Sequence, residues 1–405
     1  MDGILSMPDR PLAGLRVLDL GTFIAAPFCG TLLAEFGAEV IKIEVPGSGD
    51  PLRTLGEERD SVPLFWLQES RNKYTVTCNL RDPDGQAIVR DFVRRGYTVV
   101  LENFRPGRLE RWKLGYEDLS AIDPGLIMVR ISGYGQDGPA KNRPGFGRIA
   151  HAFGGLTYLC GFPDRAPANP GSPTIADYLS GLFAAYGVLA AERYRAVTGR
   201  GQIVDVALYE SIFRILDSLS ITYSVTRRIR ERTGTATPLA APHNHYPTRD
   251  GRWVAIACTN DRIFARLATL MRKGELVADP RFSRERERVA NCKEIDQIVA
   301  TWTAHQDMAP LVEALQQCEI PSSPIHSIAD IFEDPQFAAR GILATVAHSI
   351  LGEVKMPGVV PRLSESPGEI TWPGRDLGAD TEAVLTRALG YTSSQLKRLR
   401  ARGVI

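Results

Sequence analysis

The 405-residue sequence lacks most of the features that would settle its class quickly. No apolar run reaches the roughly 20 residues that a membrane-spanning helix needs. Lys and Arg number 48 against 47 Asp and Glu, so the net charge of +1 offers no global field for nucleic acid or an anionic membrane. Any anion site must be a local cluster of Arg and Lys. The six cysteines, Cys29, Cys78, Cys160, Cys258, Cys292 and Cys318, form no C-x-x-C pair and lie in apolar contexts. That usage predicts reduced, mostly buried thiols in a cytoplasmic protein and gives no metal framework. The opening stretch Met1 to Gly14 has no basic region followed by an apolar core, so no signal peptide is expected. There is no internal repeat, no low-complexity tract, and no G-x-S-x-G elbow to support a hydrolase triad.

What is present is an ordinary globular composition, 44% apolar and 23% charged, and a clear alternation of elements. Val17 to Leu20 reads as a buried strand, Pro27 to Phe36 as a helix ended by Gly37, and Glu39 to Glu44 as a second strand. This βαβ opening continues with a helix over Gly85 to Arg95, a strand over Thr98 to Leu101, and a short helix over Glu117 to Ile122. A strand over Leu126 to Ile131 follows. An open α/β sheet alternates in this way. Ile175 to Arg195 predicts a long apolar helix, Val204 to Leu208 a strand, and Glu210 to Tyr223 a helix. After Thr226 the chain turns polar and rich in turn formers, marking a domain boundary. A hairpin turning at Asp250-Gly251 follows, then amphipathic helices to about Glu319.

Four features bear on chemistry. Gly133 to Gly138 spells G-x-G-x-x-G after a strand, but the PAKNRPG that follows cannot start the helix a dinucleotide fingerprint requires. His243 and His245 lie on one side of a strand and could ligate zinc, yet no third ligand is apparent, and a hydrogen-bonding or substrate-facing role fits better. Arg71, Asn72 and Lys73 precede a strand, and Arg105, Arg108, Arg111 and Lys113 follow another. Such loops either bind phosphate groups through charge-assisted bonds or form a solvated surface. Asp177, in the first turn of the long helix, is by residue type either a cap and dipole partner or something more.

Many short segments, taken together and in order, resemble the class III CoA-transferases, the family of formyl-CoA transferase and carnitine CoA-transferase. They are PLAGLRVLDL (Pro11 to Leu20), FGAEVIKIE (Phe36 to Glu44), GSGD (Gly47 to Asp50), Asn72-Lys73 and ENFRPG (Glu102 to Gly107). SGYGQDGP (Ser132 to Pro139), ADYLSG (Ala176 to Gly181), TGRGQ (Thr198 to Gln202) and LGADTEAVL (Leu377 to Leu385) complete them. Within that family, Pro144 to Phe153, Ala207 to Phe213 and Arg402 to Ile405 resemble the dicarboxylate CoA-transferases that use succinyl-CoA.

The resemblance implies an α/β fold with a large Rossmann-like open-sheet domain built from both chain ends and a smaller middle domain, in an interlocked dimer. The expected parts are 1–225, 226–325 and 326–405. The resemblance makes Asp177 the covalent nucleophile of a CoA-transferase that moves CoA from succinyl-CoA or a similar acyl-CoA to a short dicarboxylic acid. Malate, citramalate and itaconate are candidate acceptors. It places Ile24, Ala25, Asn72, Lys73, Asn103, Phe104, Arg105 and Arg111 at the CoA site. Arg148, His243, Asn244 and His245 are candidates for the second carboxylate. Val45 departs, standing where formyl-CoA transferase has a basic residue. The CoA thioester is a substrate, and no permanently bound cofactor or metal is expected. The expected partners are a second copy or a homologous second subunit, with no nucleic acid and no membrane.

Two rivals remain. The superfamily's α-methylacyl-CoA racemases need an acid and a base beside the Asp, and the corresponding positions hold Phe146 and Asn260, which cannot take a proton. A non-catalytic acyl-CoA binding protein would have no use for Asp177.

Overall fold

The structure, a computed structural model, describes residues 10–405. Six strands make one sheet: β1 (Arg16–Asp19), β2 (Glu39–Glu44), β3 (Lys73–Thr77), β4 (Val99–Glu102), β5 (Ile127–Ser132) and β6 (Ile203–Ala207). Their spatial order is β3-β2-β1-β4-β5-β6, and every neighbouring pair is parallel. Both faces are covered: β2 and β5 are buried at every position, β5 as a largely apolar run and β2 with Glu39, Lys42 and Glu44 buried among its apolar residues. The strand order reverses between β1 and β4, which opens a crevice at the carboxyl ends of those two strands.

Helices α1 (Ala25–Glu35), α2 (Pro83–Arg94), α3 (Arg108–Arg111), α4 (Gly147–Phe153), α5 (Ile175–Thr198) and α6 (Leu208–Arg214) connect and flank the strands. The α2 start is set by Asp82, whose carboxylate accepts from Asp84 N at 2.8 Å, with Pro83 in the first turn. The α5 end is set by Gly199 in the left-handed region at φ 71°. The helix expected over Glu210 to Tyr223 is broken. α6 stops at Arg214, and a further helix begins at Leu219, after Asp217 at φ 41°.

Alternation along each strand divides the core. Leu18, Ile41 and Val100 face one side with Ile88 and Phe92 of α2, while Val17, Val40 and Val99 face the other with α1 and α5. Each fully buried aliphatic side chain contributes about 1.5–3 kcal/mol.

The described chain divides into two compact units. One runs from its beginning to Leu156 and resumes over Gly171–Ile221 and Ala338–Ile405; the other holds Thr157–Pro170 and Thr222–Phe337. The division therefore falls at 221 and 337, against the expected 225 and 325. Thr157–Pro170 joins the middle unit although the sequence reading left it in the large one. The middle unit contains β7 (His243–Pro247), β8 (Trp253–Ala257) and β9 (Ser322–Pro324). The hairpin of β7 and β8 turns where Gly251 adopts φ 76°. Helices α7 (Asp261–Leu270), α8 (Cys292–Thr303) and α9 (Met308–Gln317) contribute to its core around Tyr246, Phe264 and Phe282.

The chain then returns to the first unit with β10 (Leu343–His348), β11 (Gly352–Pro357), α10 (Thr381–Leu389) and α11 (Ser393–Ala401). This return covers the β3 edge of the sheet. Thr75 N donates to Asp380 Oδ2 at 2.9 Å, Thr77 N to Thr381 Oγ1 at 3.0 Å, and Asn79 N to Val404 O at 2.8 Å. Exposed edge amides would otherwise invite pairing with another chain.

Candidate active site

The loop after β1, Gly21 to Ile24, lies at the switch point, and side chains hold the backbone of its first half. Asp19 Oδ1 accepts Gly21 N at 3.1 Å, and Lys42 Nζ donates to Gly21 O. Asn103 accepts Thr22 N at 2.8 Å and donates to Thr22 O at 2.7 Å, while Asp50 Oδ1 accepts Phe23 N at 3.0 Å. Phe23 sits at φ 60°, a conformation that L side chains adopt rarely and that persists where neighbours over-determine it.

Two acids and two bases alternate beneath this loop. Lys42 Nζ lies 2.9 Å from Asp50 Oδ2 and 3.6 Å from Asp19 Oδ1, and Lys73 Nζ lies 3.0 Å from Asp19 Oδ2. All four are buried. Burial pulls the Lys42 ammonium down, but Asp19 and Asp50 outweigh it and hold its pKa above the usual lysine value. Burial also acts on Lys73, and its single carboxylate partner Asp19 does not make up the difference, so its pKa lies lower than usual.

Asp177 stands at the third helical position of α5, after the N-cap residue Thr174. The Thr174 hydroxyl donates to Asp177 Oδ2. α4 packs against this turn and presents two buried residues one turn apart, Gly147 and His151. A Cβ on Gly147 would collide with Thr174 Oγ1 and Asp177 Oδ2, so the absent side chain makes the carboxylate's room. His151 Nε2 accepts Ala176 N at 3.0 Å, and its Nδ1 is buried without a protein partner. Burial raises the Asp177 pKa above the usual aspartate value, against the opposing pull of the Thr174 hydroxyl and its own amide.

Asp177 opens into a cavity of about 250 Å³ that Ala25, Asn103, Phe104 and Arg105 also line, as do Arg108, Lys141 and Arg143. A second cavity of about 560 Å³ shares Thr22, Phe104 and Arg108 with it and extends along Val45, Leu80, Arg81 and Trp112. The two are adjacent across those shared residues, with a carboxylate lining the first and cationic side chains lining both. α1 begins at Ala25 beside Asp177 with no side chain capping it, so the positive end of its dipole is turned toward the carboxylate's cavity.

The structure thus brings Asp177, Ala25, Asn103, Phe104 and Arg105 together. Ile24 instead packs among Leu52 and Trp66. Asn72 and Lys73 line neither cavity. The Asn72 side chain donates to Glu369 O at 2.7 Å and accepts Thr371 N at 2.7 Å, and the Lys73 ammonium is spent on Asp19 and Pro27 O. Arg111 and Arg148 are exposed and line neither cavity. His243, Asn244 and His245 lie on β7 of the middle unit and line a cavity of about 430 Å³ there, with Asn244 donating to Asp296 Oδ2 at 2.8 Å. Phe146 stands edge-on to Phe23, while Asn260 caps α7 by accepting Ile263 N at 3.0 Å. No helix starts within the Gly133 to Gly138 loop, and α4 begins only at Gly147.

Sequence reasoning missed Gly147, Thr174 and His151, and it left Lys141 and Arg143 unassigned. It noted Arg108 within a basic run without choosing it. The run itself was the available signal for Arg108; a lone His on an apolar helix gives none.

A parallel sheet of this order carries a half-buried carboxylate and cationic side chains at its switch point. A family model described as CoA-transferase family III matches residues 12–381, and the chain belongs to that family. It is 47% identical over 408 residues to the succinyl-CoA–L-malate CoA-transferase beta subunit of Chloroflexus aurantiacus, covering 100% of both chains. It is 45% identical to the succinyl-CoA–D-citramalate CoA-transferase of the same organism, covering 98% of this chain and 99% of that one. Among solved structures, a CAIB/BAIF family protein from Brucella suis aligns with a TM-score of 0.83 at 33% identity, covering 94% of this chain and 100% of that one.

Proposed function

We propose that the protein transfers CoA from succinyl-CoA to a short dicarboxylic acid, malate or citramalate foremost, through covalent intermediates on Asp177. The observation that carries this reading is a half-buried carboxylate opening into a cavity lined by cationic side chains, on a chain whose relatives are named for such transfers. Asp177 attacks the thioester carbonyl carbon, giving a mixed anhydride and CoA thiolate. The thiolate attacks the anhydride at the Asp177 carbonyl, forming an aspartyl-CoA thioester and freeing succinate. The acceptor carboxylate attacks that thioester, giving a second anhydride and thiolate. The thiolate then takes the acceptor acyl group and regenerates the Asp177 carboxylate. Covalent catalysis divides one hard exchange into four easier steps. The uncapped amides at the start of α1 are placed to stabilise the oxyanion that each step develops. Arg105, Arg108, Lys141 and Arg143 supply charge for the CoA phosphates.

The working form is a dimer, either of two copies or with a homologous subunit. Its support is an unpartnered apolar stripe on α5, where Leu182, Tyr186, Leu189 and Val197 are 45–71% exposed. Incubation with succinyl-CoA followed by hydroxylamine should modify Asp177 alone. A screen of carboxylic acids with succinyl-CoA, read by mass spectrometry, should favour four- and five-carbon dicarboxylates over butyrate. Modification at another residue, or equal rates with butyrate, overturns the proposal.

A further inference from the structure

The first turn of α5 allows a complete account of its amides. Ile175 N donates to Pro173 O at 3.1 Å, Asp177 N to Thr174 O at 3.1 Å and Tyr178 N to Thr174 O at 3.3 Å. Ala176 N alone turns outside this turn, to the imidazole of His151 at 3.0 Å. A Thr at the N-cap position commonly satisfies such an amide with its own hydroxyl. Thr174 does not: its hydroxyl is turned to donate to Asp177 Oδ2 and accepts no amide of the turn.

Resting on the assignment of Asp177 as the attacking carboxylate, we propose that His151 is a positioning residue for it. As a neutral imidazole, His151 receives the Ala176 amide and takes the place of Thr174 as the cap of α5, while the Thr174 hydroxyl, turned toward Asp177 Oδ2, orients the carboxylate. An imidazole nitrogen accepts only when it carries no hydrogen, which places the ring hydrogen on Nδ1. That Nδ1 is buried with no protein acceptor, an arrangement costly for a group serving packing alone. α4 therefore acts on the nucleophile twice: Gly147 leaves its carboxylate room, and His151 one turn later fixes the backbone on which it stands.

The test compares His151→Leu, which removes the acceptor, with His151→Gln, whose Oε1 can occupy the place of Nε2. His151→Leu is expected to lower kcat roughly 10- to 100-fold, because a small misplacement of a reacting group is that costly, with KM for succinyl-CoA nearly unchanged. Hydrogen–deuterium exchange over residues 175–178 should accelerate. His151→Gln should recover most of kcat and restore slow exchange. Should His151→Leu not fold, His151→Asn, whose amide stops short of the Nε2 position, gives the same contrast. Wild-type kcat in the variant lacking the acceptor overturns the proposal, as does a Gln variant no better than it or a kcat loss with unaltered exchange. Asp177→Asn, assayed alongside, separates the two readings. Retained turnover there removes the nucleophile assignment and leaves the exchange result to judge the cap.

Discussion

Asn103 clasps Thr22 from both sides, its amide oxygen taking the Thr22 N–H at 2.8 Å and its amide nitrogen bonding the Thr22 carbonyl at 2.7 Å. The two residues follow β1 and β4, the strands between which the sheet order reverses. The clasp joins the two loops that bound the cleft. Asn103→Ala leaves two backbone groups unpaired, at about 1–3 kcal/mol. The expected result is a folded protein with a lowered Tm and a kcat/KM reduced at least tenfold. Asn103→Asp, which keeps the acceptor and loses the donor, should fall between. A wild-type kcat/KM in Asn103→Ala would show that the clasp has no part in the cleft.

Gly147→Ala separates stability from activity. The added methyl meets side-chain atoms of Thr174 and Asp177, which can rotate away, so unfolding should shift by no more than about 1 kcal/mol. The displaced carboxylate should cost roughly 100-fold in kcat. Urea unfolding and steady-state rates on one preparation check both.

The raised pKa of Asp177 has opposite consequences for rate and stability. Attack needs the carboxylate, so kcat/KM should fall on the acid side at a higher pH than an ordinary aspartate with pKa 3.8 would give. For stability, the folded-state pKa exceeds the unfolded one, so folding binds a proton. The favourable contribution is full below the unfolded pKa and is lost as pH rises through the folded pKa. Asp177→Asn should therefore be more stable than wild type at pH 7, with the difference narrowing as pH falls. A variant less stable at every pH contradicts this.

Arg108 and Arg111 lie on the same short helix and should behave differently. Arg108 lines both parts of the cleft, whereas Arg111 is exposed and lines neither. Arg108→Ala should raise KM for the CoA ester several-fold with a smaller change in kcat, as expected of a contact remote from the reacting atoms. Arg111→Ala should be close to wild type. Equal KM changes in the two variants would place the nucleotide elsewhere.

The apolar stripe on α5 is exposed in a single chain, and the proposed dimer would cover it. Light scattering on dilution to nanomolar concentration should give a dimer mass throughout. Tyr186→Lys, at 71% exposure, should reduce yield or drive aggregation rather than release a stable monomer.

The sequence carried the scaffold well where the signal was local. Glu39 to Glu44 alternates charged residues with Val40, Ile41 and Ile43, and it forms the strand over just those residues. Asp82 with Pro83, and Gly199 after the long helix, mark helix ends by chemistry that acts within a few residues, although the expected helices began at Gly85 and ended at Arg195, short of both signals. Asn72 and Lys73 show the limit of a resemblance. Their position beside the family's site was legible, but their partners Glu369 and Asp19 lie far away in sequence, so burial of the Lys73 charge could not be read from neighbours. Gly147 and His151 escaped for a similar reason. One acts by what it lacks, and the other through an amide 25 residues on.

The seal on the β3 edge bears on the order in which the protein can be made. Asp380 and Thr381 cover Thr75 and Thr77 across a separation of more than 300 residues. During synthesis from the N-terminus, the sheet emerges with that flank bare and keeps it so while the whole middle unit is translated. At about 5–20 residues per second, the open edge persists for roughly 15 seconds or more. A bare parallel edge of that lifetime is a substrate for holding chaperones and a site for mispairing between nascent chains on one polysome. Thr75 and Thr77 are polar at the exposed flank, which makes the waiting edge less adhesive than the buried strands beside it.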